Sequence, residues 1–201
     1  MPLHIFEPRY RRLVHDLLER PEEDRDFVIV AIRDGLEVGT QGVRALHRVG
    51  TVASLREVTP HEDGRFDIVT VGTDRVVLSD LIEDLPYLQA QVAVVPEFSG
   101  PEADAQAQKV RQRFNAYRMM LSGGSVGNSS EDLPDDPRVL SYLVAAAMVL
   151  ELPDRQALLE MADDSQRLAL EYERLKFELS VFRTIPSLPA IDLRASTQSI
   201  N

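Results

Sequence analysis

Near residue 100 the periodicity of this chain changes kind. From Phe27 to Pro96 the apolar residues come in short β-branched runs or alternate with polar ones. Beyond Pro96-Glu97-Phe98-Ser99-Gly100-Pro101 they recur at helical spacing. A period of two and a period of 3.6 bury different faces, so one core cannot continue unbroken through this stretch. The sequence therefore predicts an α+β chain: a β-rich domain over residues 1–97, a helical bundle over 98–184, and an extended or disordered tail over 185–201.

The first domain opens on a strand-to-helix junction. Glu7-Pro8 reads as a helix start, because proline pre-sets its own φ and lacks an amide that the first turn leaves unpaired anyway. Phe6, Tyr10, Leu13 and Leu17 then share one helix face, which must be covered. Glu7 with Arg9 or Arg11 is a charge cluster that fixes the junction. Phe27 to Ile32 is almost continuously apolar and reads as one strand buried on both faces. His47 to Val58 alternates, His61-Glu62-Asp63-Gly64 is a hairpin turn, and Arg65 to Val71 alternates again. Gly72-Thr73-Asp74 marks a break or bulge before a strand at Arg75 to Leu81, and a last strand runs from Leu88 to Val95. Five strands and one helix on short links suit a meander or partly closed barrel, a pseudo-barrel.

In the second domain Val110, Phe114, Tyr117 and Leu121 share a face of a helix ending at Ser122-Gly123-Gly124, and Gly123 to Ser130 reads as a flexible linker. Asp135-Asp136-Pro137 caps the next helix, apolar on nearly every side from Tyr142 to Leu150 and so expected at the centre of the bundle. Pro153-Asp154 starts a short helix. Asp163-Asp164-Ser165 caps a long one with a stripe of Leu168, Tyr172, Leu175, Leu179 and Phe182.

Several function classes are disfavoured. The net charge is −11 and both halves are acidic, so no basic stripe offers itself to nucleic acid. The longest apolar run, Tyr142 to Leu150, is far shorter than the ~20 residues of a membrane-spanning helix. With no cysteine there is no disulfide or thiolate site, and a reducing cytoplasm is the expected location. The histidines, His4, His15, His47 and His61, show no two-His ligand spacing on one helix, and His61-Glu62-Asp63 is explained as a polar turn. Gly123-Gly124-Ser125-Val126-Gly127 lacks the Lys-Ser or Lys-Thr of a phosphate loop. The one G-x-S-x-G spacing, Gly123 to Gly127, follows a helix where a nucleophile elbow follows a strand, and the acidic pairs Glu83-Asp84, Glu131-Asp132 and Asp135-Asp136 lie beside turns and caps. No catalytic, cofactor or metal residue is assigned.

The runs PLHIFEPRYRRLV, VGTVASLREV and GRFDIVTVGTDRVVL, followed in order by DPRVLSYLVAAAMVLELPDRQALLEMADDSQRLALEYERLKFELSV, resemble the N-terminal, substrate-binding domain of the Lon ATP-dependent proteases. That resemblance implies a non-enzymatic module recognising exposed apolar segments of unfolded or misfolded client proteins, by apolar burial or by strand addition at a sheet edge. An alternative is a regulatory or adaptor subunit docking on a separate ATP-dependent protease; a small hydrolase is the remaining one. The Ser-Lys protease and ATPase domains of Lon lie outside the matching runs. Members usually carry a further strand of the type LPLFPL before the first run; either that strand lies upstream of Met1 or the chain does without it, and in the second case the exposed sheet edge is a place for a second copy of this chain to pair as a homodimer. Leu36, Val38 and Val43, in a glycine-punctuated segment without clear period, are the candidate client-contact residues; the competing reading packs them inward beneath the loop.

Overall fold

A computed structural model describes residues 1–35, 43–82, 84–121 and 133–184. In chain order the elements are β1 (Pro2–Ile5), α1 (Pro8–Leu18), β2 (Asp26–Ile29), β3 (Ile32–Gly35), β4 (Val43–Leu46), β5 (Val49–Pro60), β6 (Phe66–Ile82), β7 (Gln89–Val94), α2 (Ala103–Leu121), α3 (Pro137–Ala147), α4 (Leu152–Glu160) and α5 (Asp164–Thr184). Two compact units result: Met1–Phe98 with Met148–Asp164, and Ser99–Ala147 with the residues from Ser165 on. Leu36, Val38, the linker from Gly123 to Ser130, Glu83, Glu131-Asp132 and the tail from Ile185 lie outside the described residues.

The first unit is organised by β6. It pairs antiparallel with β5 along one edge and, along the other, with β1 through Phe66–Val69 and with β7 through Val76–Ile82. β2 closes the far side of β5. Gly72, expected to break the strand, sits instead inside it opposite Ala53, beside a register shift. A bulge bends a strand without ending it, and here it lets one strand serve two partners. The continuous run from Phe27 to Ile32 is likewise two strands. β2 pairs with β5, whereas β3 pairs with β4 in a separate two-stranded ribbon. The corner is tight: a Cβ on Gly50 would lie 2.8 Å from the Ile29 carbonyl oxygen.

Helix α1 supplies Val14 and Leu17 to a core with Leu55, Phe66 and Ile68, and Leu3, Ile5 and Leu13 pack around it. Phe6, expected on the covered face, is 50% exposed. It precedes the helix, whose own covered face runs through Leu13, Val14 and Leu17. The buried Tyr87 hydroxyl donates to Asp16 at 2.8 Å. That bond is the main reason the Asp16 carboxyl sits below its ordinary value, while burial raises the Tyr87 phenol.

Met148–Asp164, read above with the helical bundle, groups with the strands for a polar reason. The last carbonyls of a helix lack intrahelical partners. Buried Arg75 on β6 donates to the carbonyls of Leu159 (2.9 Å) and Met161 (2.5 Å) at the end of α4, and its Nε donates to Glu97 at 3.0 Å. Gln156 on α4 donates to the Val49 carbonyl at 3.1 Å, and Phe98 forms an isolated parallel bridge with Asp163.

In the second unit α2 buries Ala103, Ala107, Val110, Phe114 and Tyr117, while Leu121 is exposed. Asp136 caps α3, its Oδ1 accepting from the amides of Arg138 (2.8 Å) and Val139 (3.2 Å). That helix is not enclosed: Leu140, Ser141 and Val144 are buried, but Val139 and Leu143 face outward. α5 buries Leu168, Leu175 and Leu179, with Arg167 and Glu171 on the same stripe. Arg167 donates to the Ser141 hydroxyl at 2.9 Å and lies over the Tyr142 ring.

Candidate protein-binding surface

A surface that captures apolar polypeptide needs exposed apolar side chains, and one that adds a strand also needs unpaired backbone donors and acceptors. Among the described residues, three strands of the five-stranded sheet have a neighbour on one side only: β1, β2 and β7. They differ in sequence. β1 begins with a proline, and β2 begins with Asp26, whose carboxylate accepts from Ser54 at 2.6 Å. β7 is longer and reads Gln-Ala-Gln-Val-Ala-Val, with neither charge nor proline. Charge and proline are the usual means of keeping an edge from pairing, and β7 has neither.

The orientation of β7 follows from one hydrogen bond. The Val95 amide donates to the Arg75 carbonyl at 2.8 Å, so this position faces β6. Backbone groups alternate along a strand, so the amides and carbonyls of Val94 and Val92 point away from β6, to the free edge. Their side chains lie opposite the buried Val76 and Leu78 and thus on the sheet's inner face. Even so, Val94 is 64% and Val92 43% exposed, and Leu81 and Leu88 nearby are also exposed. Outward backbone and uncovered apolar side chains therefore coincide on one strand.

Of the residues assigned from sequence, Val43 opens β4 opposite Gly35. Leu36 and Val38 lie outside the described residues. β7 was missed because an edge looks like any other strand until its partners are known. The available signal was the uncharged run from Leu88 to Val95 in a chain that is 27% charged.

One polar cluster is assembled by the topology. Register places His4 on β1 opposite Asp67 on β6, and the β5–β6 hairpin brings His61 to the same carboxylate. His4 Nδ1 lies 2.6 Å from Asp67 Oδ1, and His61 Nε2 lies 2.7 Å from Asp67 Oδ2. The hydrogen bond from His4, then that from His61, lowers the Asp67 carboxyl. All three side chains are exposed. At the junction after β1, Arg9 Nε donates to Glu7 at 3.0 Å, a part-buried contact in keeping with a structural role.

Residues 1–176 match the family described as the ATP-dependent protease La (LON) substrate-binding domain. The chain belongs to this family. Lon protease 2 of Syntrophobacter fumaroxidans is 29% identical over 175 residues, covering 86% of this chain. The Lon protease of Escherichia coli K12 is 27% identical over 168 residues, covering 81%. The chain spans 21% of the length of each of these relatives. The fold is that of solved Lon N-terminal domains. The domain from the Mycobacterium avium complex Lon protease aligns with a TM-score of 0.67 at 18% identity, covering 88% of this chain and 90% of that one. A Lon N-terminal domain protein from Xanthomonas campestris aligns with a TM-score of 0.57 at 20% identity, covering 92% and 89%. The Lon domain matched here is the substrate-binding one, distinct from the protease and ATPase domains. Among the described residues no helix is long and apolar enough to cross a membrane.

Proposed function

We propose that this chain is a binding module, without chemistry of its own, that captures exposed apolar segments of unfolded or misfolded proteins as an added strand along β7. The observation that carries this reading is the coincidence on β7 of an uncharged, proline-free edge, outward amides and carbonyls at Val92 and Val94, and exposure of both valines. Main-chain pairing supplies affinity without demanding a sequence. Burial of the client's alternate side chains against Val92, Val94 and Leu88 adds about 25 cal/mol per Å2 of apolar surface removed from water. Membership in a substrate-binding family supports the same reading.

The test is titration with a permanently unfolded, reduced and alkylated polypeptide, using the folded form of that polypeptide as control. The unfolded form binds and the folded form does not. Val94→Pro removes an outward donor while leaving the β6 pairing in place, and it weakens binding with the fold retained. Equal binding of both forms, or full binding by V94P, contradicts the proposal. In a separate pull-down, retention of an intact ATP-dependent protease together with no affinity for unfolded chains would favour the adaptor reading.

A further inference from the structure

We propose that His4, His61 and Asp67 form a binding site for a divalent transition ion of the zinc class, which would pin the N-terminal strand to the β5–β6 hairpin. The three side chains come from separate elements, and their ligand-capable atoms all lie within 4.8 Å of one another. Two imidazole nitrogens with one carboxylate oxygen suit zinc, nickel or copper; calcium and magnesium prefer an all-oxygen shell. In a tetrahedral zinc site, bonds of about 2.0–2.2 Å put neighbouring ligand atoms about 3.3–3.6 Å apart. The separations of 2.6 and 2.7 Å are those of direct hydrogen bonds between the two imidazoles and Asp67. Widening them to that spacing takes up to ~1 Å, the ligand atoms already lie within 4.8 Å of one another on exposed side chains, and a fourth position is left for water.

The surroundings set a competitor. Arg65 Nη1 lies 3.3 Å from His4 Nε2, and Arg65 Nε is held by Asp63 at 2.6 Å. An arginine only donates, so His4 Nε2 accepts there and Nδ1 carries the proton given to Asp67. An ion on Nδ1 displaces that proton, and a neutral ring then carries its hydrogen on Nε2, facing the Arg65 donor. Arg65 therefore opposes ion binding through both its proton and its charge, and its removal should tighten the site.

The experiment is calorimetric titration of the full chain with zinc chloride in a non-coordinating buffer, with the melting temperature read in parallel. The expected result is one saturable site per chain and a rise in melting temperature with zinc. Binding should weaken at least about tenfold in both H61Q and D67N, and tighten in R65Q. Unchanged melting of the zinc-free variants shows that they remain folded. No saturable binding by the unsubstituted chain, or undiminished binding by H61Q and D67N, overturns the proposal.

Discussion

Glu171 on α5 is a carboxylic acid that folding forces to keep its proton. Its side chain is fully buried, and neither carboxylate oxygen has a hydrogen-bond partner. Burial raises its pKa from 4.5 to about 9, although the Arg167 charge pulls the other way. The folded chain thus holds a proton that the unfolded chain releases. Stability from this group is complete below the unfolded value near 4.5 and is lost as pH rises toward about 9. Within that window the loss is about 1.4 kcal/mol per pH unit, or about 3 kcal/mol between pH 6 and pH 8. Glu171→Gln keeps the shape and removes the ionisation. Melting both proteins at pH 6 and pH 8 should show the variant losing less, by about 6–12 °C at 2–4 °C per kcal/mol for a chain of this size. Parallel losses in the two proteins would refute the reasoning. So would destabilisation of E171Q by the same amount at every pH, which would mean that the carboxylate is charged and paired with Arg167.

Leu17→Ala, removing a side chain that is 1% exposed in the α1–sheet core, should cost about 2–5 kcal/mol, read by denaturant unfolding with an unchanged slope. Gly50→Ala should cost about 1–3 kcal/mol, because the new methyl meets the backbone oxygen of Ile29 at 2.8 Å. Gly72→Ala should be milder, since its nearest neighbour is the Thr51 methyl at 3.1 Å.

Much of the fold could be read from the sequence because periodicity reports burial. The helix start at Pro8, the alternation that becomes β5, the hairpin at Gly64 and the Asp136 cap all rest on local backbone chemistry. The departures arise where partners decide. Phe27 to Ile32 has the composition of one strand, and only the change of partner from β5 to β4 divides it. Gly72 looks like a stop because glycine weakens strands, yet pairing with β5 carries β6 through it. Arg75, Arg167 and Glu171 are charged residues on buried faces, which hydropathy assigns to solvent. The candidate surface was hidden for a related reason. Leu36, Val38 and Val43 stood out because no period explained them, whereas β7 fitted a strand pattern and its free edge is a property of the sheet. The His4–His61–Asp67 cluster needs the β1–β6 register, which joins residues far apart in the chain.

Hydrogen exchange along β7, with and without an unfolded client, tests the central claim most directly. The Val92 and Val94 amides face the free edge, so they should exchange readily in the free protein and become protected when a client strand pairs there. The Val95 amide, already bonded to Arg75, should change little. Saturating client that leaves Val92 and Val94 exchanging as before, while protecting some other segment, would contradict capture along this edge.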